Sequence, residues 1–388
     1  MASWEERWAL REQWMKLKSS QLSTGDLLGS GKYGSVYALV SCPKIAAKTC
    51  AADLKSRGLK QAFREYIISL LQKILLESRC TPNLVMHFGS SPLKANGELS
   101  LKFYMERCDG SLDRMAPEVL RKDADWSSAF FQALSACVVL GETYGIVHND
   151  LYARNMLVKW NRKGESSSRR TLYKLFGEDF LLVSDFLLVI CDFGMAASRL
   201  LDAPLAAPEL KYEIPSKGYG GCFKSLGGGD HILKFSVPPY TRDVYTVMRY
   251  GAAKGSLGVE PPAKIVGWAE DCLKAVDLRH SEFSAPRGLT SAVHDFFLRL
   301  ARLHDIEEPT GGSCTGADET WSCDSGRKAS LLQLGMEAIR KATPKHWPSS
   351  NEGGEADFGA LASALDRRRE HSTGASKGAN GNGRRRSE

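Results

Sequence analysis

The 388-residue sequence has no apolar run long enough to cross a bilayer. Its most apolar stretch, 180–190, is eleven residues long and has Asp185 inside it, whereas a spanning helix needs about 20 apolar residues. The first residues carry no apolar segment of the kind that directs secretion. Ten cysteines occur without a regular framework. Cys314 and Cys323 stand nine residues apart with no second Cys/His pair of zinc type. Reduced thiols in an intracellular compartment are the simpler reading. An excess of one charge is also missing. The net charge is only +7, and two arginine triplets, Arg367, Arg368, Arg369 and Arg384, Arg385, Arg386, contribute much of it. They fall in a C-terminal stretch with few apolar residues, which reads as a disordered basic tail over 346–388. The core is therefore not expected to bind nucleic acid, and only the tail offers weak contact or a nuclear address.

Apolar residues make up 43% of the chain and charged residues 25%, as in an ordinary globular protein. The length allows two or three domains, or one two-lobed domain with tails. Trp4, Trp8, Leu10, Trp14 and Leu17 recur two to four residues apart, close to the helical period. This predicts an amphipathic helix within residues 1–23 whose tryptophan stripe packs on the parent domain.

The chemistry concentrates in 147–157. Here Asp150 and Asn155 are five residues apart, behind His148 and ahead of a short apolar run. A carboxylate at that spacing can accept or orient a hydroxyl proton while the carboxamide ligates a divalent metal held on a nucleotide phosphate. Upstream, Gly29, Ser30, Gly31, Lys32, Tyr33, Gly34 and Val36 form G-x-G-x-x-G-x-V between β-formers. Glycines let a backbone approach phosphates closely, and its N–H groups can face anionic oxygens. A strand, not a helix, follows the glycines, so they read as a hairpin flap rather than a dinucleotide turn. Ile45, Ala46 and Ala47 then lead to Lys48. A helical pattern over 60–76 (Phe63, Ile67, Leu70, Leu71, Ile74) carries Glu65 in its second turn, with Glu77 near its end. An apolar strand over 99–105 ends at Met105 and leads into Glu106, Arg107 and Cys108. Residues 126–144 read as a long helix stopped by Gly145. Asp192, Phe193 and Gly194 follow a buried strand.

Gly loop, strand lysine, helix glutamate, H-x-D-L-x-x-x-N and D-F-G occur in the order they have in the protein kinase superfamily, which residues 24–250 resemble. The resemblance implies an α+β, bilobal protein kinase fold. A small β-rich lobe would cover about 24–105 and a larger helical lobe about 109–345, with a solvated insertion at 161–171. It implies that Lys48, paired with Glu65 or, as fallback, Glu77, orients the α- and β-phosphates of ATP. Met105 would be the gatekeeper, and the backbone of Glu106 and Cys108 would bond adenine. Ala46, Val36 and Leu157 would also bind the nucleotide. Asn155 and Asp192 would hold magnesium, with manganese as a substitute. Asp150 would be the catalytic base, and Arg154 would offset developing charge. Asp243 resembles the helix-start aspartate that braces the catalytic loop.

Departures from the family pattern set the alternatives. Asn149 replaces the usual Arg that grips an activation-loop phosphate. Tyr152 replaces the Lys of serine/threonine kinases, while Arg154 stands where tyrosine kinases often place Arg. Ala207-Pro208-Glu209 comes early for the end of an activation segment, and Pro238-Pro239-Tyr240 competes for that role. Transfer to Ser/Thr hydroxyls of protein substrates is the expectation. Tyrosine or dual specificity, a small-molecule phosphotransferase of the same fold, and a pseudokinase scaffold stay open. Beyond 263 the pattern is helical at 265–276 and 291–304, a Gly/Ser/Thr-rich linker follows at 308–328, and a last helix is expected at 331–342. The divergent text is similar to kinases encoded by large DNA viruses, which implies a cytoplasmic or nuclear location in an infected cell, or a place in the virion.

Overall fold

The computed structural model describes residues 3–31, 34–52, 57–95, 98–161, 168–175, 177–198, 200, 243–244, 246–248, 257–275, 317–323 and 325–342. It is a mixed α+β structure whose sheets are mainly antiparallel. The first is five-stranded in the order β1-β2-β3-β5-β4. Its members are β1 (Thr24–Gly31), β2 (Gly34–Leu39), β3 (Ile45–Ala52), β4 (His87–Ala95) and β5 (Glu98–Glu106). Helix α1 (Trp4–Lys16) precedes it, and α2 (Arg57–Glu77) crosses between β3 and β4. The Ser3 side chain caps α1 by accepting from the Glu6 N–H at 3.2 Å. The helix stops at Lys16, well short of residue 23.

After β5, strand β6 (Gly110–Ser111) leads to α3 (Leu112–Val119) and α4 (Asp123–Tyr144). Helix α4 is hydrophobic almost all round and buried almost all round, as the centre of a helical layer must be. It ends at Gly145, whose φ of 60° supplies the left-handed stop that a residue with a Cβ resists. Strands β7 (Ile146–Val147) and β8 (Met156–Trp160) flank the loop that carries Asp150, and β7 pairs with β12 (Ala197–Ser198). Helices α5 (Ala263–Ala275) and α6 (Ser325–Ala342) complete the described helical part.

Two expectations need correction. The proposed insertion at 161–171 is not simply a solvated loop. β9 (Arg169–Leu175) already contains Arg170 and Thr171, and it pairs with β10 (Glu178–Ser184) as a hairpin. Leu172, Tyr173, Leu175 and Phe180 of that hairpin are buried. The apolar run 180–190 is thus two strands, β10 and β11 (Phe186–Ile190), broken at Asp185. The linker at 308–328 also contains structure. β13 (Glu319–Ser322) pairs in parallel with β9 and buries Trp321. Burial of one large indole and a strand ladder outweighs the loop-forming composition around them.

Buried polar pairing fixes the strand before Asp192. The Asn83 side-chain amide donates to Gln132 of α4 at 2.9 Å and to the Leu188 carbonyl at 2.7 Å. The Leu188 N–H in turn donates to Gln132 at 2.8 Å. Asn83 accepts from the Tyr173 hydroxyl at 3.0 Å. These satisfied groups tie β11 to α4 and to β9, so the strand cannot slide without stranding buried donors. Lys32, Tyr33, 162–167, Ala207-Pro208-Glu209, Pro238-Pro239-Tyr240, 291–304 and the tail from 346 lie outside the described residues. Among the described residues, no helix is long and apolar enough to cross a membrane.

Candidate active site

Lys48 stands in the middle of β3 and points to α2. Its Nζ lies 2.7 Å from Glu65 Oε1 and 2.7 Å from Asp192 Oδ1. Glu65 sits in the third turn of α2, one turn later than expected, because the helix starts at Arg57 rather than Lys60. Glu77 is not near this centre. It pairs with Arg11 at 3.0 Å and Lys73 at 3.9 Å. Burial alone would push the Lys48 pKa down, but the two carboxylates more than reverse it and hold the ammonium charged. Burial raises the Glu65 pKa despite its lysine, and Asp192 adds repulsion. Asp192 shifts the other way: burial opposes ionisation, but Lys48 holds the carboxyl below its usual range.

Asp192 adopts φ 63°, ψ 70°, a left-handed conformation that non-glycine residues rarely take. The turn throws its carboxylate back over β3 while Phe193 inserts behind α2, fully buried. Phe193 meets the His148 ring at 4.5 Å. His148 donates from Nε2 to the Cys191 carbonyl at 2.8 Å, since its Nδ1 accepts from the Asp150 N–H at 3.2 Å. The loop is also braced from below. Buried Asp243 accepts from the His148 N–H at 2.6 Å and the Asn149 N–H at 3.0 Å. Asn149 takes φ 67° there and donates to the Met195 carbonyl at 3.1 Å.

Asp150 is held from two sides. Arg154 Nη2 donates to both carboxylate oxygens, at 2.9 and 3.1 Å. Asn155 Nδ2 donates to Oδ2 at 2.9 Å and to the Asp150 carbonyl at 2.6 Å. That leaves the Asn155 Oδ1 as an oxygen donor. The Cys191 N–H bonds the Asn155 carbonyl at 3.0 Å, which seats Asp192 beside Asn155. A hard divalent cation takes oxygen ligands, and magnesium usually takes one or two from protein and the rest from phosphates and water. An amide and a carboxylate on these two hydrogen-bonded segments fit that demand. Among the described residues, no group of three His, Cys, Asp or Glu converges as an all-protein metal site.

The glycine hairpin adjoins β3 in the sheet, with Val36 opposite Lys48. Gly31 pairs with Gly34, Ser30 with Ser35 and Gly29 with Val36. A Cβ at Gly34 would fall 2.1 Å from the Thr49 carbonyl oxygen, so close approach to β3 requires glycine there. A Cβ at Gly29 or Gly31 would meet nothing within 4 Å, and neither glycine takes a positive φ. Their own neighbours therefore do not demand glycine. Of the expected nucleotide-binding residues, Ala46 and Met105 are buried and face each other across β3 and β5, while Val36 and Leu157 are half-buried.

The expectation at Glu106 narrows to one backbone group. Its N–H donates to the Met86 carbonyl at 3.0 Å, so it is not available to adenine, and only the carbonyl could serve. Its carboxylate is fully buried, between Arg7 of α1 and Lys159 of β8. Sequence reasoning missed Arg7, Lys159 and His87. Lys159 and His87 give no spacing signal. Arg7 does, because it lies three residues after Trp4 and seven before Trp14, on the buried stripe of α1. His87, opposite Met105 on β4, is buried with its Nδ1 unpartnered among the described residues. Burial, with help from nearby Lys48, pushes its pKa down to about 3, so it stays neutral.

No family model matches the chain, and no curated protein matches it.

Proposed function

We propose that the chain is an ATP-dependent protein kinase of bilobal fold, with the five-stranded sheet and α2 as the small lobe and α3 onward as the helical lobe. One observation carries this reading. Lys48, buried in β3, is shared between a helix carboxylate (Glu65) and a turn carboxylate (Asp192), each at 2.7 Å. An ammonium fixed between two carboxylates, beneath a hairpin with open glycines, suits the α- and β-phosphates of a nucleotide. Transfer of this kind needs little covalent chemistry from the protein, so positioning and charge supply most of the rate.

Each residue then has a defined task. Gly29, Gly31 and Gly34 let the hairpin backbone close on the phosphates. Lys48 orients them, and Glu65 keeps its ammonium in place. Asn155 and Asp192 would hold magnesium, which supplies charge neutralisation at the β- and γ-phosphates when bound. Asp150 orients an acceptor hydroxyl and takes its proton as the γ-phosphorus–oxygen bond to the acceptor forms and the bond to the β-phosphate bridge breaks. Arg154, whose guanidinium also lies over the Tyr152 ring at 4.8 Å, must turn from Asp150 towards the acceptor side to offset charge there, and its side chain is 59% exposed. Serine or threonine of a protein is the acceptor we favour.

The test is incorporation of labelled γ-phosphate by the full chain and by Asp150→Asn, with magnesium, on itself and on a generic basic protein. We expect incorporation that the variant loses, with the label on phosphoserine or phosphothreonine. Equal incorporation by both proteins would remove Asp150 from the mechanism. No incorporation by either, together with tight ATP binding, would favour a scaffold instead.

A further inference from the structure

A fully buried and heavily satisfied charge lies outside the Lys48 centre. The Glu106 carboxylate is fully buried and accepts four hydrogen bonds. They come from Arg7 Nε at 3.1 Å, Arg7 Nη2 at 2.5 Å, the Met86 N–H at 2.9 Å and Lys159 Nζ at 2.6 Å. Arg7 is 1% exposed. Its remaining donors reach the Pro82 carbonyl at 2.7 Å and the Leu84 carbonyl at 2.5 Å. One guanidinium thus joins α1, the end of β5 and the segment before β4. Lys159 adds β8, two residues beyond Leu157.

Helix α1 is anchored on both sides of that point. At one end Trp14 packs on Tyr104 of β5, with ring centroids 4.7 Å apart, and stacks near Phe88 of β4 at 6.1 Å. At the other end Trp4 meets Trp321 of β13 edge-on at 5.5 Å, and the Trp4 backbone N–H donates to the Glu319 carboxylate. The helix therefore runs from the five-stranded sheet to the β9–β13 sheet, with Arg7 at the crossing. A surface arginine has no need of such a place. Desolvating a guanidinium is costly, and it is sustained here only because every nitrogen has a partner.

We infer that α1 is a built-in brace for the segment that receives the adenine, with Arg7 as a positioning residue that acts through the Glu106 carboxylate. This rests on the kinase reading, in which the Glu106 carbonyl and the Cys108 backbone face the base. Glu106 cannot rotate while four donors hold its side chain, so its carbonyl keeps one direction. Without Arg7 the carboxylate stays buried with only Lys159 and the Met86 N–H, two of its four donors, and the end of β5 must rearrange to rehydrate it. The rearrangement displaces the base-binding backbone but leaves Asp150, Asn155 and Asp192 in place. Arg7 should therefore govern nucleotide affinity and not the chemical step.

The test titrates a fluorescent ATP analogue with magnesium into the full-length protein, Arg7→Met and Trp14→Ala, and records the thermal midpoint of each. Trp14→Ala serves as the control for α1 docking alone. Arg7→Met should raise the Kd about tenfold and raise KM for ATP by the same factor at unchanged kcat. Trp14→Ala should lower the thermal midpoint and leave the Kd within about twofold. An unchanged Kd in Arg7→Met, or a Kd that rises equally in both variants, overturns the inference and makes α1 a structural element only. If Arg7→Met does not fold, Glu106→Gln, which keeps the side-chain shape, must still weaken binding; unchanged binding there also overturns it. Failure of the unaltered protein to bind the nucleotide overturns the kinase reading and this inference with it, before any variant is compared.

Discussion

Two buried charged triads organise this molecule, and they are mirror images. At Lys48 one cation lies between two carboxylates. At Glu106 one carboxylate lies between two cations. The first carries a surplus negative charge and opens outward, since the Asp192 side chain is 43% exposed. The second carries a surplus positive charge and is closed, with Glu106 completely covered. Their glutamates shift in opposite directions. Burial raises the Glu65 pKa beyond what Lys48 can offset. At Glu106 burial pushes the same way but loses to Arg7 and Lys159, which hold the pKa down to about 2. An open site with excess negative charge and unspent oxygens suits the proposed cation and its phosphates. A closed site with every group satisfied is built to stay as it is. Burial alone does not separate function from support; unspent valence does.

The contrast sharpens most at Asp192. Asp192→Asn removes the surplus charge of the open triad but keeps its shape. Phosphoryl transfer should fall about a thousandfold, or roughly 4 kcal/mol of barrier, with the denaturant midpoint little changed. A matching loss of stability would make Asp192 a structural group like Glu106. The closed triad is tested by acid. Because Glu106 keeps its charge in the folded chain and loses it more easily unfolded, its contribution is complete above the ordinary glutamate range. It disappears as pH falls from that range towards about 2. The loss should amount to about 3 kcal/mol, read from urea midpoints across pH. Glu106→Gln should flatten that limb, whereas an unchanged acid limb would show the carboxylate to be unpaired. The smallest effects separate the glycines. Gly34→Ala should cost about 1–3 kcal/mol of stability, because its Cβ would strike the Thr49 carbonyl. Gly31→Ala should cost no stability and weaken nucleotide binding only a few-fold.

How much of this could be read from the sequence follows the same division. The open triad was legible because its members sit in local strings: Lys48 after Ile45-Ala46-Ala47, Asp192 before Phe193-Gly194, and Glu65 on a helix of clear period. Local strings survive without knowledge of the fold. The closed triad joins residues 7, 106 and 159, which no spacing links, so only packing reveals it. Likewise the β9–β10 hairpin was hidden because its apolar residues ran on into β11 as one stretch, in which Asp185 was noted only as an internal charge and not as a break between two strands. β13 was hidden by the glycines and serines around Trp321. The mixed α+β architecture, the stop at Gly145 and the lone strand lysine carried local signals that these elements lacked.

The central claim is that the Lys48 centre takes a nucleotide together with its metal. The most direct measurement is calorimetric titration of ATP into the unaltered protein and into Asp192→Asn, each with magnesium and with a chelator. The account predicts binding to the unaltered protein that weakens when magnesium is removed, and a variant whose affinity no longer depends on the metal. Binding of equal strength with and without magnesium in both proteins, or no binding to either, would contradict it.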